Sequence, residues 1–209
     1  MGVARLRNKG RSLLTFPDDY TVVDLETTGM SFASADIIEI ACVKYRGNVE
    51  CARYATLVQP TKRRRIPPFI TALTGITTPM VVDSPRFSDV ADDVWNFLEG
   101  ELIVGHNVNF DVNFLYDAFE AFDGSTLRND FVDTLRLARR TLPELRQRRL
   151  VDLCDFYRIE TSHHRAVADC LATQKVLNCL KQTAAERQCD SPAQRRLFGE
   201  PDDWARWRD

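Results

Sequence analysis

The stretch TVVDLETTGM, residues 21–30, combines an apolar strand with two acidic side chains. Valine and leucine before and between the acids favour a central β-strand, and the Thr-Thr-Gly that follows ends it. Successive side chains of a strand point to opposite faces. Asp24 and Glu26 are therefore expected on one face, with Leu25 pointing into a core on the other.

Two carboxylates at the end of an apolar strand need a physical reason to be there. Ionised carboxylates 4 Å apart repel by roughly 1 kcal/mol in water and roughly 4 kcal/mol near a protein surface. A cation between them reverses the sign of that energy, and the following Thr-Thr-Gly exposes backbone N–H groups suited to a sugar or phosphate. Taken alone, a D-x-E pair also fits a solvent-facing strand edge, and both interpretations stay open here.

Composition narrows the class of protein. The chain has 209 residues, a net charge of −2 and 44% hydrophobic residues, which predicts one domain with a real core. This charge argues against a protein that coats polyanions with its whole surface. The six cysteines show no CxxC pair and no disulfide framework, which favours a reducing, cytoplasmic location. No apolar run reaches membrane-spanning length, so we expect no membrane association.

The order of the predicted elements indicates an α/β domain. Strand-like stretches at residues 20–26, 36–46 and 49–58 predict an antiparallel meander. Residues 59–70 contain three prolines and are expected to form a loop. Helices then alternate with short strands up to a long helix over residues 164–182. Strands first, then helices interleaved with strands, predict a layered α/β fold with a mixed sheet.

Two later stretches contain further acids. In VGHNVNFDVNFL a strand ends before Asn107, and Asp111 falls in the first turn of the next helix. A carboxylate there is either a favourable partner of the helix dipole, contributing about 0.3–1 kcal/mol, or a group turned toward the first acidic pair. In SHHRAVADCLAT, His164 and Asp169 flank one site only if the histidine precedes the helix and the aspartate projects from it. Each stretch is weak evidence on its own.

Together the three stretches resemble the DEDDh branch of the DEDD exonuclease superfamily. The matching text is D-x-E-T-T-G at residues 24–29, H-N-x-x-F-D at 106–111 and H-x-x-x-x-D at 164–169. The resemblance is to DnaQ-like proofreading exonucleases of bacterial DNA polymerase III, of both epsilon and PolC type, and covers about residues 18–181. It implies an RNase H-like fold, with a mixed five-stranded sheet flanked by helices, and removal of nucleotides one at a time from a DNA 3′ end.

The resemblance also implies the chemistry of the site. Two divalent ions, Mg²⁺ or Mn²⁺, would be bound by hard oxygen ligands. His164, with an unperturbed pKa near ~6.5, would take a proton from the attacking water. The implied metal ligands are Asp24, Glu26, Asp111 and Asp169.

Substrate contacts follow from the same resemblance. Thr27, Thr28 and Gly29 would meet the terminal nucleotide, and Asn107 would lie near the scissile phosphate. The other two implied contacts, Ile76 and Phe110, would pack on the last base or sugar, although ordinary core packing explains each of them equally well.

The sequence also predicts the domain boundaries, and it leaves alternative functions open. Residues 1–16 are expected to form a flexible basic arm, residues 17–185 the exonuclease domain and residues 186–209 a flexible C-terminal extension. A proofreading role would need a DNA polymerase as a partner in trans. Two alternatives stay open: an RNA-directed, oligoribonuclease-like enzyme, and a catalytically silent nucleic-acid-binding domain.

Overall fold

The computed structural model describes residues 7–63, 65–161 and 165–189. Within them the strands form one sheet, and helices cover both of its faces. The strands are β1 (Ser12–Leu13), β2 (Tyr20–Thr27), β3 (Ile37–Arg46), β4 (Val49–Leu57), β5 (Ile103–Gly105) and β6 (Phe131–Asp133). The helices are α1 (Pro68–Thr74), α2 (Thr78–Val81), α3 (Phe87–Leu98), α4 (Asn109–Asp123), α5 (Thr134–Thr141), α6 (Leu150–Tyr157) and α7 (Ala166–Cys189).

The sheet is mixed, with strand order β1-β6-β5-β2-β3-β4. The meander of β2, β3 and β4 is antiparallel, while β5 and β6 add to β2 in parallel. The carboxyl ends of β2, β5 and β6 therefore meet at one edge of the sheet. The predicted α/β fold with a mixed sheet is confirmed, and the described part of the sheet has one strand more than the five expected.

Two apolar layers sandwich the sheet, and β2 contributes to both. Val23 and Leu25 face the layer formed with α3 and α4. Val22 faces the opposite layer, formed with α5, α6 and α7. Because side chains alternate along a strand, Asp24 and Glu26 continue the Val22 face. The period of two thus turns both acids toward α7.

The extra strand lies in the segment expected to be a flexible arm. Strand β1 pairs in parallel with β6. Upstream of it, the Arg7 guanidinium binds the Asp117 carboxylate, with an Nε–Oδ1 distance of 2.8 Å, and Arg11 pairs with Asp130 at 2.7 Å. From Arg7 onward the segment is therefore attached to the domain, contrary to the expected boundary at residue 16. Its partners lie more than 100 positions away in sequence, so local composition does not reveal them.

Two other boundaries differ from expectation. Helix α1 begins at Pro68, inside the stretch expected to be a loop, because a proline in the first turn needs no N–H partner and has a helical φ already. Helix α7 continues to Cys189, four residues past the expected end of the domain. Residues 190–209 lie outside the described part of the chain. Each helix in the described ranges is too short or too polar to cross a membrane.

Gly105, the last residue of β5, allows close packing at the edge where the three parallel strands end. A Cβ atom at this position would lie 2.5 Å from a Val108 methyl group and 2.9 Å from the Val23 carbonyl oxygen. Any larger residue would push β5 away from β2. The glycine therefore keeps the two strand ends in register beside the acidic residues.

We expect Gly105→Ala to lower the free energy of unfolding by about 1–3 kcal/mol, because the added methyl group overpacks against backbone. Urea unfolding followed by circular dichroism measures this change. Gly29→Ala is the matched control: its Cβ would meet only Ala35 Cβ, at 3.4 Å, and a cost within about 1 kcal/mol is expected. Equal costs at the two glycines would contradict the close approach of β5 to β2.

Candidate active site

Three carboxylates from two elements converge at the carboxyl end of β2. Asp24 and Glu26 belong to the strand, and Asp169 to the first turn of α7. One oxygen atom of each lies within 4.8 Å of the corresponding atoms of the other two. All three residues are half-buried. The structure therefore brings together, from opposite ends of the chain, three of the four acids that the sequence singles out as metal ligands.

The fourth acid, Asp111, approaches from α4 on the other side of β2. Strand β5 pairs with β2 only as far as Val22, so β2 beyond that point lacks a strand partner on this side. There the Leu25 N–H donates to Asp111 Oδ1 at 3.1 Å. Asp111 is buried, with 5% exposure. It thus lies against the backbone between Asp24 and Glu26, outside the group of three.

Burial and mutual repulsion change the acidity of these groups. Burial, and then the charges of Asp111 and Asp169, raise the pKa of Asp24 well above its ordinary value. Burial and the Asp169 charge raise the pKa of Glu26 to about 7. Burial also raises the pKa of Asp111, although its hydrogen bond from Leu25 opposes the change. Each of these three carboxyl groups is therefore easier to protonate than an isolated one.

This chemistry fits divalent cations. The three clustered side chains offer only carboxylate oxygens, the hard ligands that Mg²⁺ and Mn²⁺ prefer. A cation close to them would offset the repulsion that raises their pKa values. The residues present therefore suit the metal ions that the sequence pattern implies.

A buried acid that the sequence reasoning missed, Glu39, connects the strands to α7. Glu39 lies on β3 directly opposite Glu26 and is 5% exposed. Its carboxylate accepts from the Arg165 guanidinium at 2.8 Å and from the Ala166 N–H at 3.1 Å. It thus satisfies the first N–H of α7 and fixes the turn that carries Asp169. The signal in the sequence is a glutamate within the apolar run IIEIA.

A second missed acid, Asp133, shapes the bend after β5. Its Oδ1 accepts from the N–H groups of Asn107 and Leu135, both at 2.9 Å. Asn107 has a φ of 59°, in the left-handed region that asparagine tolerates better than most residues, and its side chain is exposed. The neighbouring His106 ring lies 3.0 Å from the Thr134 hydroxyl, and burial lowers the pKa of His106 to about 4.

The Thr-Thr-Gly segment braces its own turn. The Thr27 hydroxyl donates to the Gly29 carbonyl at 2.8 Å. Thr28 exchanges two bonds with Asp36: its N–H donates to the Asp36 carbonyl, and its hydroxyl accepts from the Asp36 N–H, both at 2.9 Å. These contacts hold the backbone of the turn beside Glu26.

Two predicted substrate contacts have different surroundings. Ile76 is completely buried in a cluster with Ile38 and Ile70, so core packing accounts for its side chain. Phe110 is half-buried, with its ring centroid 4.7 Å from that of Phe114. His164, the predicted proton acceptor, lies outside the described residues.

Comparison with known proteins identifies the class. The family model described as Exonuclease, named for RNase T, matches residues 21–177, and solved exonucleases share the fold. Exonuclease X in complex with 5′ overhanging duplex DNA aligns with a TM-score of 0.64 and 27% identity, over 79% of this chain and 92% of that one. E. coli exonuclease I in complex with a dA16 oligonucleotide aligns with a TM-score of 0.70 at 20% identity, over 81% of this chain and 42% of that one, and shows the fold alone.

Proteins related in sequence also point to an exonuclease. A PolC-type DNA polymerase III of Oceanobacillus iheyensis is 40% identical over 174 residues, 83% of this chain but 12% of the relative. The DNA polymerase III subunit epsilon of Aquifex aeolicus is 32% identical over 158 residues, 75% of this chain and 77% of the relative. The chain belongs to this exonuclease family and is related to the exonucleases of bacterial DNA polymerase III, as the sequence motifs predict.

We expect Glu39→Ala to reduce the free energy of unfolding by about 1–3 kcal/mol, because the buried Ala166 N–H loses its acceptor. Amide hydrogen exchange at Ala166 should become faster as well. Glu50→Ala is the control, since its pair with Arg53 is at the surface, and we expect a loss within about 1 kcal/mol. Indistinguishable losses in the two variants would contradict the anchoring role of Glu39.

The raised pKa of Glu26 predicts a pH-dependent stability of the metal-free protein. Its pKa is about 7 in the folded chain against an ordinary value of 4.5, so the folded state binds this proton more tightly. The resulting stabilisation is fully present below pH 4.5 and is lost as the pH rises through 7.

In EDTA, the melting temperature should therefore fall as the pH rises from roughly 5 to 8, and Glu26→Gln should flatten that fall. Exposed Glu50→Gln should leave it unchanged. Thermal denaturation at a series of pH values measures all three proteins. If Glu26→Gln retained the full wild-type pH dependence, the crowding of charge at Glu26 would be refuted.

Proposed function

We propose that the protein is a divalent-metal-dependent 3′–5′ exonuclease that hydrolyses phosphodiester bonds at DNA 3′ ends and releases nucleoside monophosphates. The observation that carries this proposal is the convergence of Asp24, Glu26 and Asp169, with Asp111 hydrogen-bonded between the first two. A silent binding domain has no use for four acids at one point, because their repulsion destabilises the fold.

In the proposed site Asp24, Glu26 and Asp169 would hold the cations, Mg²⁺ or Mn²⁺, and Asp111 would contribute to their binding directly or through water. When bound, two such ions activate the attacking water and stabilise charge on the attacking and leaving oxygens. Glu39 sets the position of α7 and, through it, of Asp169. Asp111 keeps β2 in place beyond the end of β5.

His164 is the proposed general base. It is the neighbour in sequence of Arg165, whose carbonyl accepts the Asp169 N–H at 3.0 Å, and it stands five positions before Asp169 in the motif. An imidazole with a pKa near ~6.5 takes up a proton at neutral pH. His106 is unsuited to this role because its pKa is about 4.

Substrate binding is proposed for residues that surround the acids. Thr27, Thr28 and Gly29 would present the backbone of their braced turn to the terminal nucleotide. The exposed part of the half-buried Phe110 side chain would contact the last sugar or base. Asn107, whose side chain is exposed, would lie near the scissile phosphate. Ile76 would act only through the backbone, because its side chain is buried.

DNA is the proposed substrate because the chain is similar in sequence to parts of DNA polymerase III. The chain covers 12% of the PolC-type relative from Oceanobacillus and most of an epsilon subunit. A DNA polymerase is therefore the proposed partner in proofreading or repair. Five cysteines are free thiols, namely Cys42, Cys51, Cys154, Cys170 and Cys179, which supports the proposed cytoplasmic location.

The direct test is incubation of a 5′-labelled oligodeoxynucleotide with the protein and Mn²⁺. We expect products that shorten one nucleotide at a time from the 3′ end. Asp24→Asn should reduce the rate by at least about 10²–10³-fold, because the site loses a charge that no other group replaces. Asp92→Asn, on the exposed side of α3, is the control and should retain wild-type activity.

Two further arms separate the alternatives. His164→Ala should lose most of the turnover while still binding Mn²⁺, measured by calorimetry; full activity would remove His164 from its role. Short RNA, single-stranded DNA and mispaired DNA ends are compared at equal concentration, with DNA expected to be the better substrate. An uncleaved oligonucleotide at high enzyme concentration would reject the catalytic proposal, and faster cleavage of RNA would reject DNA as the substrate.

A further inference from the structure

A cavity of about 680 Å³ opens beside the bend that follows β5. His106 and Asn107 line one side of it, and α5, α6 and the segment between them line the other. Among the described residues that line it, none is acidic. Four are arginines, namely Arg139, Arg146, Arg148 and Arg149. We call this opening the arginine cleft.

The arginine cleft begins next to the acidic site. Strands β5 and β2 are parallel neighbours, with Val104 opposite Val22, and Gly105 approaches the Val23 carbonyl closely. His106 therefore leaves the sheet at the level of Asp24. Neighbouring strands lie about 4.8 Å apart, so a chain that leaves the acidic site on this side enters the cleft directly.

The four arginines differ in how they are held. Arg148 donates to the Leu142 carbonyl at 2.7 Å, and Arg149 pairs with Asp152 at 2.7 Å. Both are positioned by the fold. Arg139 and Arg146 extend into solvent and are available to a ligand. This concentration of positive charge stands out on a chain whose net charge is −2.

Apolar groups accompany the charges. Leu73 lines the arginine cleft and is 51% exposed, and Phe69, four residues earlier on the same face of α1, is 66% exposed. A positive groove with exposed aromatic and aliphatic side chains is the combination that binds single-stranded nucleic acid, because phosphates meet the cations while bases stack on the apolar groups. An acidic protein partner would use the charges but would have no need of the flat aromatic face.

We propose that the arginine cleft binds the phosphates of the single strand behind the terminal nucleotide. This inference rests on the proposed nuclease function and extends it from the scissile bond to the rest of the substrate. Arg139 and Arg146 make the phosphate contacts. The cleft does not discriminate between base sequences of the strand, because phosphates carry no sequence information.

The test compares Arg139→Ala/Arg146→Ala with the control Arg128→Ala/Arg140→Ala, which removes the same charge from exposed positions outside the cleft. Two substrates are used: a 12-nucleotide single strand and the p-nitrophenyl ester of thymidine 5′-monophosphate, which reaches only the acidic site. For the cleft variant we expect the KM for the 12-mer to rise about ten-fold with kcat within two-fold, and the ester to be hydrolysed at the wild-type rate. The control should match wild type on both substrates.

Salt dependence provides a second readout. The slope of log(kcat/KM) against log salt for the 12-mer should become shallower by about 0.7 for each phosphate contact removed. Arg139→Lys/Arg146→Lys should restore most of the slope, because lysine keeps the charge.

An unchanged KM and salt slope in the alanine variant, with both substrates still cleaved, would overturn the cleft proposal and favour an acidic protein partner instead. Loss of ester hydrolysis in the alanine variant would also overturn it, since the arginines would then act on the acidic site. If the wild-type protein cleaved neither the 12-mer nor the ester, the nuclease function itself would be rejected.

Discussion

Repulsion between carboxylates is the constraint on which the rest of the site depends. Asp24, Glu26 and Asp169 have oxygen atoms within 4.8 Å of one another, and partial burial strengthens the repulsion between them. A fold tolerates this only if rigid elements hold the groups in place. Here the sheet, α4 and α7 provide that rigidity, and a bound cation would convert the repulsion into attraction.

Hydrogen bonds to two buried acids explain why the three clustered carboxylates stay close together despite their repulsion. Asp111 accepts a hydrogen bond from the Leu25 N–H, in the part of β2 that β5 does not pair with. Glu39 accepts from the first N–H of α7 and forms an ion pair with Arg165. Both are buried acids satisfied by protein donors. They fix the two elements that carry the clustered acids, β2 and α7, so the cluster is organised before any ligand arrives.

Much of this was predictable from sequence, because it depends on local periodicity. The alternation in VVDLE placed Asp24 and Glu26 on one face, and the motif spacing placed Asp169 on a helix. Glu39 and the attachment of Arg7 to Asp117 were missed, since each depends on partners that are distant in sequence. The start of α1 at Pro68 is not evident from sequence, because proline ends helices when it lies inside them but is compatible with a first turn.

The position of the arginine cleft beside the acidic site is likewise not predictable from local sequence. Its arginines follow one another closely in sequence, but their relation to the acidic site depends on the parallel pairing of β2 with β5, which only the folded chain displays. Charge runs are commonly solvated surface, whereas Lys62, the first residue of the basic run at 62–65, donates from its side chain to the Ala35 carbonyl at 2.9 Å. Position in the fold, rather than charge alone, separates the two cases.

The central claim, that separate parts of the chain assemble one cation-binding site, is tested most directly by anomalous diffraction from crystals soaked in Mn²⁺. We expect manganese peaks within coordination distance of Asp24, Glu26 and Asp169. Crystals that show manganese only at surface carboxylates, with these three side chains turned apart, would contradict it.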